Sequence, residues 1–143
     1  MKTLVDTNVL VYAVDFDAGE RRALAMAWLA FLTRSRSGVL SAQALSELAN
    51  VGLRRRRPRL EVGELDALID TLCGAFEVVP VTPAIVREAL RGVRDHRLSW
   101  FDAQMWAAAH LHQVPYLLTE DMAAGASYDG VTIIDPFAAP PPA

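Results

Sequence analysis

Cysteine, histidine and long apolar runs are scarce in this sequence of 143 residues. The single cysteine, Cys73, excludes an intramolecular disulfide, and its place in the apolar stretch 68–76 predicts a buried thiol rather than a nucleophile. No apolar run approaches the roughly 18 residues that a membrane span needs, and Asp6 comes too early for a signal peptide. We therefore expect a cytoplasmic protein without a membrane segment.

Two common kinds of catalytic site are also missing from the sequence. His110 and His112 lie two positions apart on a predicted helix and so point to different faces, while His96 falls in a charged stretch. These positions argue against a zinc site. The absence of a glycine-rich phosphate loop argues against enzymes that use nucleotide cofactors.

Negative charge exceeds positive charge only slightly. The net charge of −3 argues at first against a nucleic-acid ligand, whose phosphates attract lysine and arginine. If four acids hold a metal, however, the remaining 13 acids face 14 bases, so the rest of the surface is close to neutral. Five of these bases lie within positions 54–59, namely Arg54, Arg55, Arg56, Arg57 and Arg59. This arginine run predicts contact with phosphate, although a solvated helix end or contact with an acidic partner would also explain it.

Short β-rich runs alternate with longer helical patterns along the chain. Strands are predicted at residues 3–5, 38–40, 76–79, 116–119 and 131–134. Helices are predicted at residues 20–34, 42–53, 62–73, 83–94 and 100–113. The alternation predicts an α/β fold in which helices cover both faces of a mainly parallel sheet of about five strands. We expect one domain over residues 1–137, followed by a disordered Pro/Ala tail over residues 138–143.

Four acidic residues from separate segments are placed to meet at one edge of the predicted sheet. Asp6 directly follows the first strand, and Asp121 lies two residues beyond the fourth. Asp102 is in the first turn of the helix that leads into the fourth strand, and Glu47 lies in the helix after the second. Ligands of open α/β sheets collect at the carboxyl ends of the strands. Because carboxylates at close range repel one another unless a cation neutralises them, this placement predicts a Mg²⁺ or Mn²⁺ site.

Helix capping is the simpler interpretation of three of these acids when each is taken alone. Asp6 would cap a helix that starts near residue 9, and Asp121 would cap whatever follows its strand. Ser99 and Asp102 nearly form a capping box. Glu47 differs because it lies inside a helix among apolar neighbours, where a carboxylate needs a partner. The joint placement of all four acids favours a metal site.

The segments that carry these acids resemble the motifs of a known family. They are Asp6-Thr7-Asn8-Val9-Leu10, Ser46-Glu47-Leu48 with Asn50, Ser99-Trp100-Phe101-Asp102-Ala103, and Leu117-Leu118-Thr119-Glu120-Asp121. In order and spacing, this set is similar to the four motifs of PIN-domain nucleases and, more narrowly, of VapC-type toxins of bacterial toxin–antitoxin pairs. The resemblance runs from residue 4 to about residue 137. One departure is Asp135, where similar toxins commonly have asparagine.

The resemblance implies a PIN-like three-layer α/β/α fold and a Mg²⁺- or Mn²⁺-dependent endoribonuclease, the toxin of a type II toxin–antitoxin system. Asp6, Glu47, Asp102 and Asp121 match the acidic positions of the family. We expect Asp6 and Asp102 to make the main metal contacts, and Asp121 and Glu47 to hold a water or a second ion. Thr119 matches a serine or threonine that supports the metal shell. The implied reaction is hydrolysis that leaves a 5′-phosphate and a 3′-hydroxyl.

The predicted helix at residues 20–34 is apolar around its full circumference over residues 23–32. Packing on a sheet buries only one side of a helix, and large exposed apolar patches are uncommon on monomers. Either a neighbouring helix or another protein chain must therefore cover the rest. By resemblance, the covering chains would be a second copy in a homodimer and a cognate antitoxin, while RNA would be the substrate.

Two other classes of protein fit part of the pattern. A phospho-aspartate phosphatase or receiver domain also places an aspartate at a strand end beside magnesium, but it uses a lysine late in the chain. This sequence has only Lys2. A non-catalytic α/β module that binds a partner or RNA would keep the fold without needing all four acids. The metal dependence of RNA cleavage separates such a module from a nuclease.

Overall fold

A six-stranded sheet forms the centre of the protein, in a computed structural model that describes residues 1–54 and 59–143. The strands are β1 (Thr3–Val5), β2 (Gly38–Ser41), β3 (Glu77–Val79), β4 (Tyr116–Leu118), β5 (Ser127–Tyr128) and β6 (Val131–Ile134). Their order across the sheet is β3-β2-β1-β4-β6-β5. All neighbouring strands pair in parallel except β5 and β6, which pair antiparallel.

Helices connect the strands and pack against the sheet. In the described part of the chain they are α1 (Thr7–Val14), α2 (Glu20–Arg34), α3 (Ala42–Arg54), α4 (Val62–Ala75), α5 (Pro83–His96) and α6 (Trp100–Leu111). α1 packs against α2 and α3, and α5 packs along α6. The predicted α/β class with a mainly parallel sheet is confirmed. None of these helices is long and apolar enough to cross a membrane.

The central strands are buried on both faces. All three residues of β1 are buried, and so are the last two residues of β4. Such strands are expected where helices cover a parallel sheet from both sides. Leu4 of β1, Leu117 of β4 and Trp106 of α6 are fully buried in the same core. This packed centre fixes the positions of the residues that directly follow β1 and β4.

Two short elements differ from the sequence-based prediction. The sequence pattern does not predict α1 as a separate element, and α1 begins at Thr7, two residues before the helix start considered for capping. β5 is also absent from the predicted strands. It contains two residues and is joined to β6 by a turn at Asp129 and Gly130, both of which have positive φ angles. The five helices that the sequence predicts agree with α2 to α6 of the structure to within two residues at each end.

The apolar helix α2 is only partly covered within the described chain. Ala25, Trp28 and Leu32 are buried, but Met26 keeps 45% of its surface exposed. Trp28 Nε1 also donates a hydrogen bond to the carbonyl oxygen of Ala139, at 3.0 Å, so the last segment of the chain contacts this helix. α2 therefore keeps exposed apolar surface within the described chain, and its contact with a partner chain stays a prediction.

Cys73 contradicts the expectation of a buried thiol. The residue is exposed on α4. Leu72, one position earlier, is buried against the core, and adjacent residues of a helix point about 100° apart. The apolar composition of this stretch therefore did not determine which residues face inward.

Candidate metal centre

Three of the four predicted acids meet at the carboxyl edge of the sheet. β1 and β4 are parallel neighbours, so the residues that follow them, Asp6 and Asp121, come out side by side. Asp102 reaches the same place from the first turn of α6. One carboxylate oxygen from each of these aspartates lies within 4.8 Å of the other two. We call Asp6, Asp102 and Asp121 the aspartate cluster.

Asp6 is both a helix cap and a member of the aspartate cluster. Its Oδ1 accepts a hydrogen bond from the backbone N–H of Thr7 at 2.7 Å, which caps α1. Its Oδ2 accepts a hydrogen bond from the hydroxyl of Thr119, also at 2.7 Å. Burial raises the pKa of Asp6 to about 6, although these two hydrogen bonds oppose the rise. Capping and metal binding, considered above as alternatives for Asp6, are therefore compatible in geometry.

Thr119 connects the two sides of the site from a fully buried position. Besides donating to Asp6, its hydroxyl oxygen accepts a hydrogen bond from the backbone N–H of Asp121, at 3.1 Å. One hydroxyl thus orients the carboxylate after β1 and the chain after β4. The role of Thr119 in supporting a metal shell, which the family resemblance implies, stays a prediction.

Asn8 is a site residue that the sequence analysis missed. Its amide Nδ2 donates hydrogen bonds to Asp121 Oδ2 at 2.9 Å, to Thr119 Oγ1 at 3.2 Å and to Asp6 Oδ2 at 3.4 Å. The signal was its place two residues after the strand-end acid Asp6, where the sequence analysis considered it only as part of a helix cap. Because its N–H groups face two carboxylates, Asn8 offsets part of their mutual repulsion.

Asp102 does not form the expected capping box. Ser99 precedes α6, but its side chain makes no capping hydrogen bond. Instead, the Ser99 hydroxyl donates to Asp102 Oδ2 at 2.8 Å, which orients the carboxylate. Burial raises the pKa of Asp102, and the negative charges of Asp121 and Glu47 add to the rise, while the Ser99 hydrogen bond opposes it. Asp102 thus carries a charge that its surroundings disfavour when no cation is present.

Glu47 lies beside the aspartate cluster and is not a member of it. Its Oε2 accepts a hydrogen bond from the hydroxyl of Thr7 at 2.8 Å, and its Oε1 accepts one from Gln43 Nε2 at 2.7 Å. Both oxygens are therefore held by neighbours, in a partly buried position on the wall of the cleft. Glu47 is close enough to affect the charge of Asp102 but is not grouped with the three aspartates.

The aspartate cluster opens into a cleft of about 350 Å³, which we call the acidic cleft. Six carboxylates line it: Asp6, Asp15, Glu47, Asp102, Glu120 and Asp121. Within the described part of the chain, no lysine or arginine contributes to the lining. Such a cleft attracts cations and repels a bare phosphate group, so a phosphodiester needs a bound cation before it can approach.

The rim of the acidic cleft carries an aromatic and ion-pair cluster. Arg21 forms an ion pair with Glu120, and its guanidinium also lies 5.4 Å from the centre of the Tyr12 ring. Burial and a hydrogen bond with Glu120 raise the pKa of Tyr12. These contacts connect α1, α2 and the segment after β4 on one side of the cleft.

The predicted arginine run is only partly within the described residues. Arg54 is the last residue of α3 and is exposed. Arg55, Arg56 and Arg57 lie outside the described residues. Their assignment to RNA backbone, like that of Arg54, stays a prediction.

A mainly parallel α/β sheet with three aspartates clustered at its carboxyl edge places the protein among α/β domains whose ligand site lies at that edge, and its oxygen donors suit a divalent cation. A family model of the PIN domain matches residues 3–124. The chain therefore belongs to the PIN domain family, and the resemblance noted from the sequence is confirmed. None of the curated proteins compared matches the sequence.

Solved structures share the fold at low sequence identity. A toxin–antitoxin complex from Klebsiella pneumoniae has a TM-score of 0.62 and 22% identity, covering 94% of this chain and 98% of that one. The Mycobacterium tuberculosis toxin VapC20, described as cleaving the sarcin-ricin loop, has a TM-score of 0.62 and 19% identity, covering 81% and 87%. VapBC2 from Rickettsia felis, bound to promoter DNA, has a TM-score of 0.59 and 14% identity, covering 85% and 88%. At these identities the likeness establishes the fold.

Proposed function

We propose that this protein is a Mg²⁺- or Mn²⁺-dependent endoribonuclease and the VapC-type toxin of a type II toxin–antitoxin system. The observation that carries the proposal is the aspartate cluster, with carboxylate oxygens within 4.8 Å of one another in a chain of the PIN domain family. The cluster lies at the open end of two parallel strands, where ligands of α/β sheets bind. The names of the toxin structures that share its fold support the same function.

The donors in the aspartate cluster fit a hard divalent cation. In octahedral coordination at about 2.1 Å from Mg²⁺, neighbouring oxygen ligands lie about 3.0 Å apart and opposite ones about 4.2 Å, so the cluster has to contract by up to roughly 1.8 Å to bind the ion. The cluster contains no thiol or imidazole that would favour zinc or copper. In addition, burial raises the pKa values of Asp6 and Asp102, and a bound cation would stabilise the ionised form of both carboxylates.

The residues around the cluster hold its carboxylates in position for such a cation. Thr7 and Thr119 hold Asp6, Asn8 holds Asp121, and Ser99 holds Asp102, each by a hydrogen bond of 2.7–2.9 Å. A bound divalent cation would activate water near neutral pH and stabilise the charge that develops on the phosphate. Glu47, held on the wall of the acidic cleft, is the fourth predicted acid, and we assign it to a metal-bound water or a second cation.

RNA cleavage is the direct test of this proposal. The purified protein should cut RNA in Mg²⁺ or Mn²⁺ and leave 5′-phosphate and 3′-hydroxyl ends, which sequencing of the products identifies. EDTA, D6N or D102N should abolish cleavage, because each removes the cation or a carboxylate that holds it. D66N, which neutralises an exposed acid on α4, is the matched control and should cut normally. Cleavage that persists in EDTA contradicts the metal mechanism, and RNA binding without cleavage would indicate a non-catalytic module.

The arginine run is proposed to bind RNA backbone outside the acidic cleft. Replacing Arg55, Arg56 and Arg57 with glutamine should weaken RNA binding for every sequence. On single strands it should also flatten the salt dependence by about 0.7 log units for each phosphate that an arginine no longer neutralises. The metal-induced rise in melting temperature should not change. If the salt dependence of RNA binding is unchanged, the arginine run is either a solvated helix end or a contact with the proposed antitoxin.

The proposed partners are a cognate antitoxin and a second copy of this chain, acting in the cytoplasm. The support is the exposed part of α2 and the toxin–antitoxin assembly named for a structural neighbour. Co-expression with the adjacent gene product and the mass of the purified complex would test both partners.

A further inference from the structure

A second cleft adjoins the acidic cleft, and we call it the side cleft. It has a volume of about 390 Å³, within the roughly 300–1,000 Å³ typical of small-ligand pockets. It lies between the beginning of α3, the beginning of α6 and Val81. The two clefts share three lining residues, Gln43, Glu47 and Phe101. An RNA strand bound at the aspartate cluster can therefore extend directly into the side cleft.

Phe101 is an exposed aromatic side chain at the junction of the two clefts. It immediately precedes Asp102 of the aspartate cluster, and 61% of its surface is exposed. The seven residues 103–109 that follow Asp102 in α6 are all buried, so the exposure of Phe101 is not a general property of this helix. A free aromatic ring beside a phosphate-processing site is a surface on which a nucleobase can stack.

Gln104 supplies an unpaired amide in the same cleft. The residue is only 9% exposed and lies three positions after Phe101, on the same face of α6. Its amide makes no hydrogen bond to any described residue, whereas the neighbouring Gln43 amide donates to Glu47 and to the carbonyl oxygen of Phe101. The donor and acceptor of the Gln104 amide reach the surface of the side cleft, so they are available to a ligand.

We propose that the side cleft is a nucleobase subsite for the ribonucleotide next to the cleaved phosphate. The base stacks on the ring of Phe101, and its polar edge hydrogen-bonds with the amide of Gln104. A base offers a flat apolar face together with donors and acceptors on its edge, which matches this pair of side chains. The inference rests on the proposed function, because the aspartate cluster fixes where the phosphate lies.

The subsite can be tested by RNA binding with the aspartate cluster intact and a substrate that resists cleavage. The full chain is titrated in Mn²⁺ with short phosphorothioate RNAs that contain one 2-aminopurine, whose fluorescence is quenched on stacking. F101A should weaken binding roughly 5- to 150-fold and remove the quenching, whereas F101W should retain both. Q104L keeps the side-chain volume but removes the amide, so it should reduce discrimination among RNAs that differ in that base. L90A, which truncates an exposed apolar residue on α5, is the matched control and should bind normally.

The outcomes separate the subsite from the proposed nuclease. Binding by F101A that matches the wild type overturns the subsite, even if the wild-type protein cuts unmodified RNA. A change in the protein's mass in solution caused by F101A, with RNA binding unchanged, also overturns it and assigns this face to contact between copies. Loss of stacking in F101A, with no cleavage by the wild type, would support the subsite while refuting the nuclease.

Discussion

The buried carboxyl of Asp6 predicts how the stability of the metal-free protein depends on pH. Asp6 is 5% exposed, and burial raises its pKa from the ordinary value of 3.8 to about 6. Between these values the unfolded chain has released the proton, while the folded protein still holds it. Raising the pH through this window therefore favours unfolding, at a total cost of about 3 kcal/mol once the pH exceeds 6.

Asp102 titrates with the same sign as Asp6, and several other carboxyls titrate with the opposite sign, so only a comparison with a variant isolates Asp6. Hydrogen bonds to Arg91, Arg94 and His96 lower the pKa values of the acids that face them. The stability these acids contribute is present above their ordinary pKa values and is lost as the pH falls. These acids are present in both the wild type and D6N, but only the wild type has the Asp6 carboxyl. Their contributions therefore cancel in the difference between the unfolding free energies of the two proteins.

Urea unfolding in EDTA between pH 4 and 7 measures this difference. The free energy of unfolding of the wild type should fall relative to D6N by about 3 kcal/mol, which corresponds to roughly 6–12 °C in melting temperature. The exposed-acid control D66N should follow the wild type. A gap between wild type and D6N that stays constant across the pH range would refute the assignment of a raised pKa to Asp6.

Three further predictions concern the metal site and the packing beneath it. Without metal, D102A should lose little stability, because Asp102 makes no capping hydrogen bond. Mg²⁺ should no longer stabilise this variant, whereas the wild type gains about 2.7 kcal/mol at a Mg²⁺ concentration of 100 times the Kd. An unchanged stabilisation of D102A by Mg²⁺ would contradict the role of Asp102 as a metal ligand. T119V should weaken metal binding roughly 10- to 100-fold by calorimetry, while T119S keeps the hydroxyl and should bind normally. G38A should lower the free energy of unfolding by about 1–3 kcal/mol, because the added alanine Cβ would lie 2.1 Å from atoms of the Phe76 ring. Unchanged stability in urea unfolding would contradict this prediction and show that the ring can move away.

The longest helical segment and the strands rich in β-branched residues were predicted well from the sequence. α2 has the predicted bounds, and the buried strands β1 and β6 also agree with prediction. Helix α1 was harder to predict, because the run Val9, Leu10 and Val11 also favours a strand. In the structure the Asp6 cap and packing on α2 and α3 stabilise it as a helix. The signal for β5 was present as an Asp-Gly pair at 129–130, which is typical of tight hairpin turns, but the strand itself has only two residues.

The candidate site could be predicted only as far as topology determines it. Asp6 and Asp121 follow adjacent parallel strands, so the sheet itself brings them together. Glu47 lies on a helix wall, where the hydrogen bonds from Thr7 and Gln43 decide the direction of its carboxylate. Those contacts depend on side-chain rotamers and on the rotation of α3, which a single sequence does not specify.

The most direct test of the metal centre is the anomalous scattering of crystals soaked in Mn²⁺. We predict a strong anomalous peak between the carboxylates of Asp6, Asp102 and Asp121, and its loss in D102N. A peak elsewhere on the surface, or no peak at a Mn²⁺ concentration that supports RNA cleavage, would contradict the central claim that the aspartate cluster holds the catalytic cation.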